Sequence, residues 1–149
     1  MKKLLLVLLV GCFLLAGCGK KEKPIEETSE TPENEARVLV CQMPSENPIP
    51  FITAISYFYE GDELVNVGIK YTYDLSSYND AQRQAYGSSK LCEMDVISST
   101  LGMTDCKEGL QGTDYIVEGF SEKQVSQTSG TLEKVQESLT KAGWTCAEE

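Results

Sequence analysis

The chain has 149 residues, six cysteines, no histidine and a formal net charge of −10. That length holds one ordinary domain, and an acidic chain is a poor match for nucleic acid or any other polyanion. The missing histidine removes the commonest general base and excludes Ser-His-Asp, Cys-His and histidine–metal chemistry.

The chain begins with Lys2-Lys3 and an apolar run of twelve residues, Leu4 to Leu15, that ends in Leu15-Ala16-Gly17-Cys18. A basic start, a short apolar segment and small residues before a cut predict a secretory signal peptide over residues 1–17. A membrane span needs about 20 apolar residues, and this run stops short of that. Leu15-Ala16-Gly17-Cys18 resembles the lipobox of bacterial lipoproteins. The competing Leu9-Val10-Gly11-Cys12 leaves a shorter apolar core and strands Phe13-Leu14-Leu15 before a polar linker. The resemblance implies acyl chains, palmitate among them, carried on Cys18 as a diacylglycerol. Two chains are what stable anchoring requires. It also implies attachment to the cell membrane on its extracytoplasmic side.

Residues 18–36 hold Lys20, Lys21 and Lys23, then six glutamates, with Pro24 and Pro32. No apolar period is present. Such a stretch buries too little apolar surface to offset its ordering entropy, so it reads as a disordered tether. Residues 37–149 form the single folded domain, with 17 acidic and 8 basic side chains for a balance of minus nine.

Arg37 to Cys41 is a short β-rich run. Phe51 to Tyr59 alternates, with Phe51, Thr53, Ile55, Tyr57 and Tyr59 on one face and Ile52, Ala54 and Phe58 on the other. Glu60-Gly61-Asp62 signals a turn, and Val65, Val67, Ile69, Tyr71 and Tyr73 then share a face. The two runs predict a long antiparallel hairpin. Ser76 to Leu101 predicts a helix, capped by Ser77 or Asn79, kinked near Gly87-Ser88-Ser89 and stopped by Gly102. Its stripe is Tyr78, Ala81, Ala85, Cys92 and Val96. Asp114 to Phe120 is a strand paired with a neighbour near Cys106 to Leu110. Leu132, Val135 and Leu139 mark a closing helix, with Thr131 at its cap and Gly143 at its stop. Trp144 to Cys146 is a terminal strand. This order predicts an α+β fold, an antiparallel sheet with about two helices on one face.

Cys12 leaves with the signal peptide and Cys18 carries lipid, so Cys41, Cys92, Cys106 and Cys146 remain. An even number in an exported domain predicts two disulfides, with three connectivities open. Position favours Cys41–Cys146, which closes both ends of the domain, with Cys92–Cys106 as a local clip. C-x-x-C spacing, the mark of zinc and of redox catalysis, is absent.

From about residue 50 to residue 146 the layout resembles the YehR-like family of small bacterial lipoproteins. The likeness rests on the lipobox, the polar spacer, the hairpin turn Tyr59-Glu60-Gly61-Asp62, a central helix, and a closing helix ending in Gly143-Trp144. It implies an α+β fold and membrane attachment, and carries no catalytic residue across.

Chemistry is sparse. Thr104 to Lys107 and Thr131 to Lys134 approximate S-x-x-K without its companion motifs. Glu93 and Asp95 diverge on a helix, and Gly102, Gly109 and Gly112 are too scattered for a phosphate loop. No cofactor or metal is implied. The hairpin aromatics are the one hint of binding, because tyrosine suits half-wet surfaces. Tyr57, Tyr59, Tyr71 and Tyr73 are the candidate contact residues. The expectation is a non-catalytic, lipid-anchored protein that binds an envelope protein or small ligand. The alternatives are an envelope enzyme acting on wall polymer or peptide, and a structural accessory.

Overall fold

The computed structural model describes residues 35–46 and 48–149. The predicted signal peptide, Cys12, Cys18 and nearly all of the tether lie outside the described residues. Among the described residues no helix is long and apolar enough to cross a membrane.

The domain is α+β. Three strands come first: β1 (Ala36–Ser45), β2 (Phe51–Glu60) and β3 (Glu63–Asp74). Helix α1 (Asp80–Gly87), a 3-10 turn (Leu91–Glu93) and a π turn (Val96–Thr100) follow. Then come β4 (Met103–Gln111), β5 (Asp114–Ser121), α2 (Glu122–Gln127), α3 (Leu132–Lys141) and β6 (Thr145–Glu148). One six-stranded sheet takes the order β4-β5-β3-β2-β1-β6, and every pairing is antiparallel.

The β2–β3 hairpin turns at Gly61-Asp62, between the paired Glu60 and Glu63. Gly61 sits at φ 61°, in the left-handed region that glycine enters without steric cost, as the first central residue of a two-residue hairpin turn does. Just beyond the turn the register slips: Tyr59 faces Leu64 and Phe58 faces Asn66, leaving Val65 as an extra residue. One extra residue reverses side-chain parity. Leu64 therefore packs against the core while Val65 is 43% exposed, and Val65 does not share the face of Val67 and Ile69 as strict alternation predicts.

The segment from Ser76 to Leu101 is not one kinked helix. Asn79, rather than Ser77, caps α1, accepting from the Gln82 N–H at 3.0 Å while the Gln82 side chain accepts from the Asn79 N–H at 3.0 Å. The helix ends at Gly87 because the Ser88 and Ser89 hydroxyls donate to the Gln84 and Tyr86 carbonyls, at 3.1 and 2.6 Å, and Lys90 turns to φ 51°. The predicted stripe breaks up with it. Ala81, Ala85 and Val96 are exposed, Tyr78 and Cys92 are half-buried, and the buried residues are Leu75 and Ile97.

Helix α2 carries no apolar period, so the sequence pattern does not predict it. The fully buried Ser121 makes it, accepting from the Gln124 N–H at 3.1 Å and donating to the Leu101 carbonyl at 2.6 Å. Helix α3 buries Leu132 and Val135 as predicted. Thr131 holds its cap position without a side-chain hydrogen bond to the helix backbone, and Gly143, at φ 94°, ends it. The terminal strand starts at Thr145, one residue after Trp144.

All helices pack on one face of the sheet. Leu39 and Cys41 of β1, Tyr57 and Tyr59 of β2, and Val67 and Ile69 of β3 meet Leu132 and Val135 there. Tyr115 and Val117 of β5 meet Leu75, with Tyr86 of α1 and Tyr73 against them. Both predicted disulfides form. Cys41 lies directly opposite Cys146 in the β1–β6 pair, and Cys92 bonds Cys106. Beside the first bridge, Arg37 pins three elements together. Its guanidinium donates to Glu148 at 2.6 and 3.1 Å and pairs with Glu133 at 2.8 Å. The backbone N–H of Glu133, and then Arg37, hold the Glu133 carboxyl down to about 2.

Candidate contact surface on the open sheet face

The hairpin tyrosines line the inside of the domain. Tyr57 and Tyr59 are 5% and 1% exposed, and the Tyr59 hydroxyl donates to the Gly130 carbonyl at 3.3 Å. Tyr71 and Tyr73 are half-buried, with Tyr73 packed 5.3 Å from Phe51 and 5.8 Å from Tyr86. Burial pushes the phenols of Tyr57, Tyr71 and Tyr73 above their ordinary value, so all three stay neutral near pH 7. A contact surface built on these four is corrected by their parity: they share the face of Val67 and Ile69, which the helices cover.

The opposite face carries the exposed aromatic and aliphatic groups. Ile52 is 44% exposed and Phe120 is 41% exposed. The register sets Ser56, Gly68 and Phe120 in one row and Ala54, Lys70, Glu118 and Lys107 in the next. Gly68 matters here. A side chain at its position would begin 3.5 Å from Phe58 and 3.9 Å from Phe120. The two rings instead tilt over the glycine with centroids 6.4 Å apart. Covering a mid-sheet glycine with rings is a structural device in its own right.

Beside the rings runs an open groove of about 360 Å³, bounded by Phe58, Gly68, Phe120, Lys70, Glu118 and the bulged part of β4. The bulge falls between Thr104 and Lys107 and puts Asp105 at φ 51°. Asp105 and Lys107 both line the groove. Lys70 and Glu118 pair across β3 and β5 at 3.9 Å. Two cations and two anions cancel, so the groove is uncharged overall. A shallower depression of about 220 Å³ extends it along β4, past Lys107 to Gln111.

On the inner side, Glu108 accepts from the Tyr115 hydroxyl at 2.6 Å and from the Cys92 N–H at 3.2 Å. Burial, and then this bond, push the Tyr115 phenol up to about 12. The S-x-x-K approximations gain no chemistry from the fold: β4 bulges between Thr104 and Lys107, and Thr131 caps α3. Glu93 and Asp95 are exposed. Among the described residues no group of three or more cysteine, aspartate or glutamate side chains is placed to hold a metal ion. In the sequence Ile52, Ala54 and Phe58 read as a second apolar face, whereas Gly68, Phe120 and the bulge do not stand out as its companions. The signal available was a lone glycine inside a strand pattern.

Comparison with family profiles, curated proteins and solved structures returns no match.

Proposed function

We propose that this chain is a lipid-anchored extracytoplasmic bacterial protein that binds a partner, without catalysing a reaction, through the open face of its sheet. The observation that carries the reading is a charge-balanced groove with an aromatic wall on a domain of net charge minus nine. Elsewhere the acidic surface favours solvent. On this face, apolar area and charges of both signs offer a partner burial and pairing together. The resemblance of Leu15-Ala16-Gly17-Cys18 to a lipobox supports the anchoring, and the resemblance of the layout to YehR-like lipoproteins, which implies membrane attachment, fits it.

Two experiments test the two halves. A Cys18→Ala chain is expected to leave the membrane fraction after a carbonate wash, whereas the parent chain stays. Retention of the variant refutes lipid attachment at Cys18. For the contact surface, a photo-crosslinking residue is placed at Ser56 on the open face or at Glu137 on α3, in the anchored protein in intact cells. Ser56 is expected to capture a defined adduct that Glu137 does not. Phe120→Ser in the same chain should weaken capture by about tenfold, the cost of losing roughly 1.4 kcal/mol of apolar contact. Equal capture at both positions, or none at Ser56, refutes the surface.

A further inference from the structure

The two disulfides sit in different surroundings. Cys41 is fully buried and meets the partly buried Cys146 inside a β ladder that runs on either side of them, from Leu39 to Gln42. Cys92 and Cys106 are both partly buried and join the short turn after α1 to the bulge of β4. Backbone strain gathers at this second bridge. Among the described residues, Lys90 and Asp105 are the non-glycine residues at positive φ, both at 51°. Lys90 stands two residues before Cys92, and Asp105 adjoins Cys106. Side chains enter that region at a cost, and persist there only where the surroundings impose it. The covalent constraint shared by the two positions is the Cys92–Cys106 bond. On the far side of Cys106, Asp105 and Lys107 line the open-face groove.

We propose that the Cys92–Cys106 bridge is a reducible clip that sets the bulge of β4 and, through it, the shape of the groove. Its consequence for binding rests on the groove being the contact surface, whereas its chemistry does not. The reductant is a dithiol. One of its thiolates attacks a sulfur of the bridge, the S–S bond breaks, and a mixed disulfide forms as the other cysteine leaves and takes a proton. The second thiol of the reductant then closes on its partner sulfur and releases the remaining cysteine as a thiol. Two electrons pass to the domain, and the reductant departs as a disulfide. Opening frees Lys90 and Asp105 to return to ordinary backbone angles, which favours the reduced state. Opening Cys41–Cys146 brings no such relief, because the ladder keeps those thiols opposite each other.

The test uses the full-length protein in detergent, titrated with dithiothreitol, trapped with iodoacetamide and mapped by peptide mass spectrometry. Cys92 and Cys106 are expected to alkylate at a reductant concentration about tenfold below that needed for Cys41 and Cys146. At the same step, amide exchange should rise over the first half of β4, and acetylation of Lys107 should change relative to Lys141. A Cys92→Ser/Cys106→Ser chain should show the open exchange pattern with no reductant. Opening of both bridges together, or of Cys41–Cys146 first, overturns the proposal. So does an opened clip with exchange and acetylation unchanged. These readouts need no partner, so a failed capture at Ser56 leaves the clip standing, and a rigid β4 after reduction leaves the contact surface standing.

Discussion

Replacing Cys41 and Cys146 together with alanine should cost about 4–5 kcal/mol of stability. The bridge closes a loop of 105 residues, and loop-closure entropy in the unfolded chain grows with loop length. Small domains are stable by only about 5–15 kcal/mol, so about a quarter or more of the total goes with this bond. The expected readout is a urea midpoint lowered by about 2–3 M, for a slope near 1.5–2 kcal/mol per molar. The Cys92–Cys106 bridge closes a separation of 14, and its removal should cost less, about 3 kcal/mol. Local context sharpens the contrast. Cys41 is fully buried beside Leu39, so its loss also thins the core, whereas opening the second bridge relieves the strained neighbours Lys90 and Asp105. A smaller midpoint shift for the long loop than for the short one would refute the entropic account.

Tyr115→Ala should be nearly as damaging, at about 3–5 kcal/mol. The ring is fully buried, stands edge-on to Tyr86 at 5.3 Å and lies 6.4 Å from Tyr73. Truncation leaves a cavity between α1 and the sheet, and strips Glu108 of a donor held at 2.6 Å. Tyr115→Phe separates the two effects. It keeps the ring and deletes the bond to a carboxylate, which should cost about 1.5–3 kcal/mol. The same hydroxyl also controls behaviour in base. In the unfolded chain it titrates near its ordinary 10.0, and in the fold it is pushed up to about 12. The native state therefore keeps a proton that the unfolded chain gives up. Its stabilising effect is complete below pH 10 and is lost as pH rises toward 12. Denaturant midpoints measured across that window should fall less steeply for Tyr115→Phe than for the parent chain. Parallel slopes would show that Tyr115 does not titrate as described.

Much of the fold was legible where local chemistry decided it. Gly61-Asp62 placed the hairpin turn because few residues other than glycine enter the left-handed region there freely. Leu132, Val135 and Leu139 placed α3, and Gly143 ended it. Counting cysteines left four, and the favoured pairs are the ones that form. Other features depend on register and hydrogen bonds that alternation and composition do not report. Val65 reads as an inward residue until the bulge inserts it. Ser76 to Leu101 reads as one helix until the Ser88 and Ser89 hydroxyls and Lys90 end it. The bond from the Tyr115 hydroxyl to Glu108 follows from the β4–β5 register, which no local pattern specifies.

The candidate site shows the same division. Alternation assigned Tyr57 and Tyr59 to one face of β2 and Phe58 to the other. It did not say which face the helices would cover, because both are apolar. Only the packing of Leu132 and Val135 against Leu39 and Val67 decided that. It turned the tyrosines inward and left Phe58 beside Phe120 over Gly68, on strands 52 residues apart at the glycine and its partner Phe120.

By itself the sequence determined the strands, the closing helix, the hairpin, the acidic balance and the cysteine count. Each of these follows from interactions within a few residues or from composition. The tertiary structure alone decided which sheet face is covered, where the groove opens and which strained residues flank a bridge. Each of those depends on contacts between elements far apart in the chain, which no local pattern encodes.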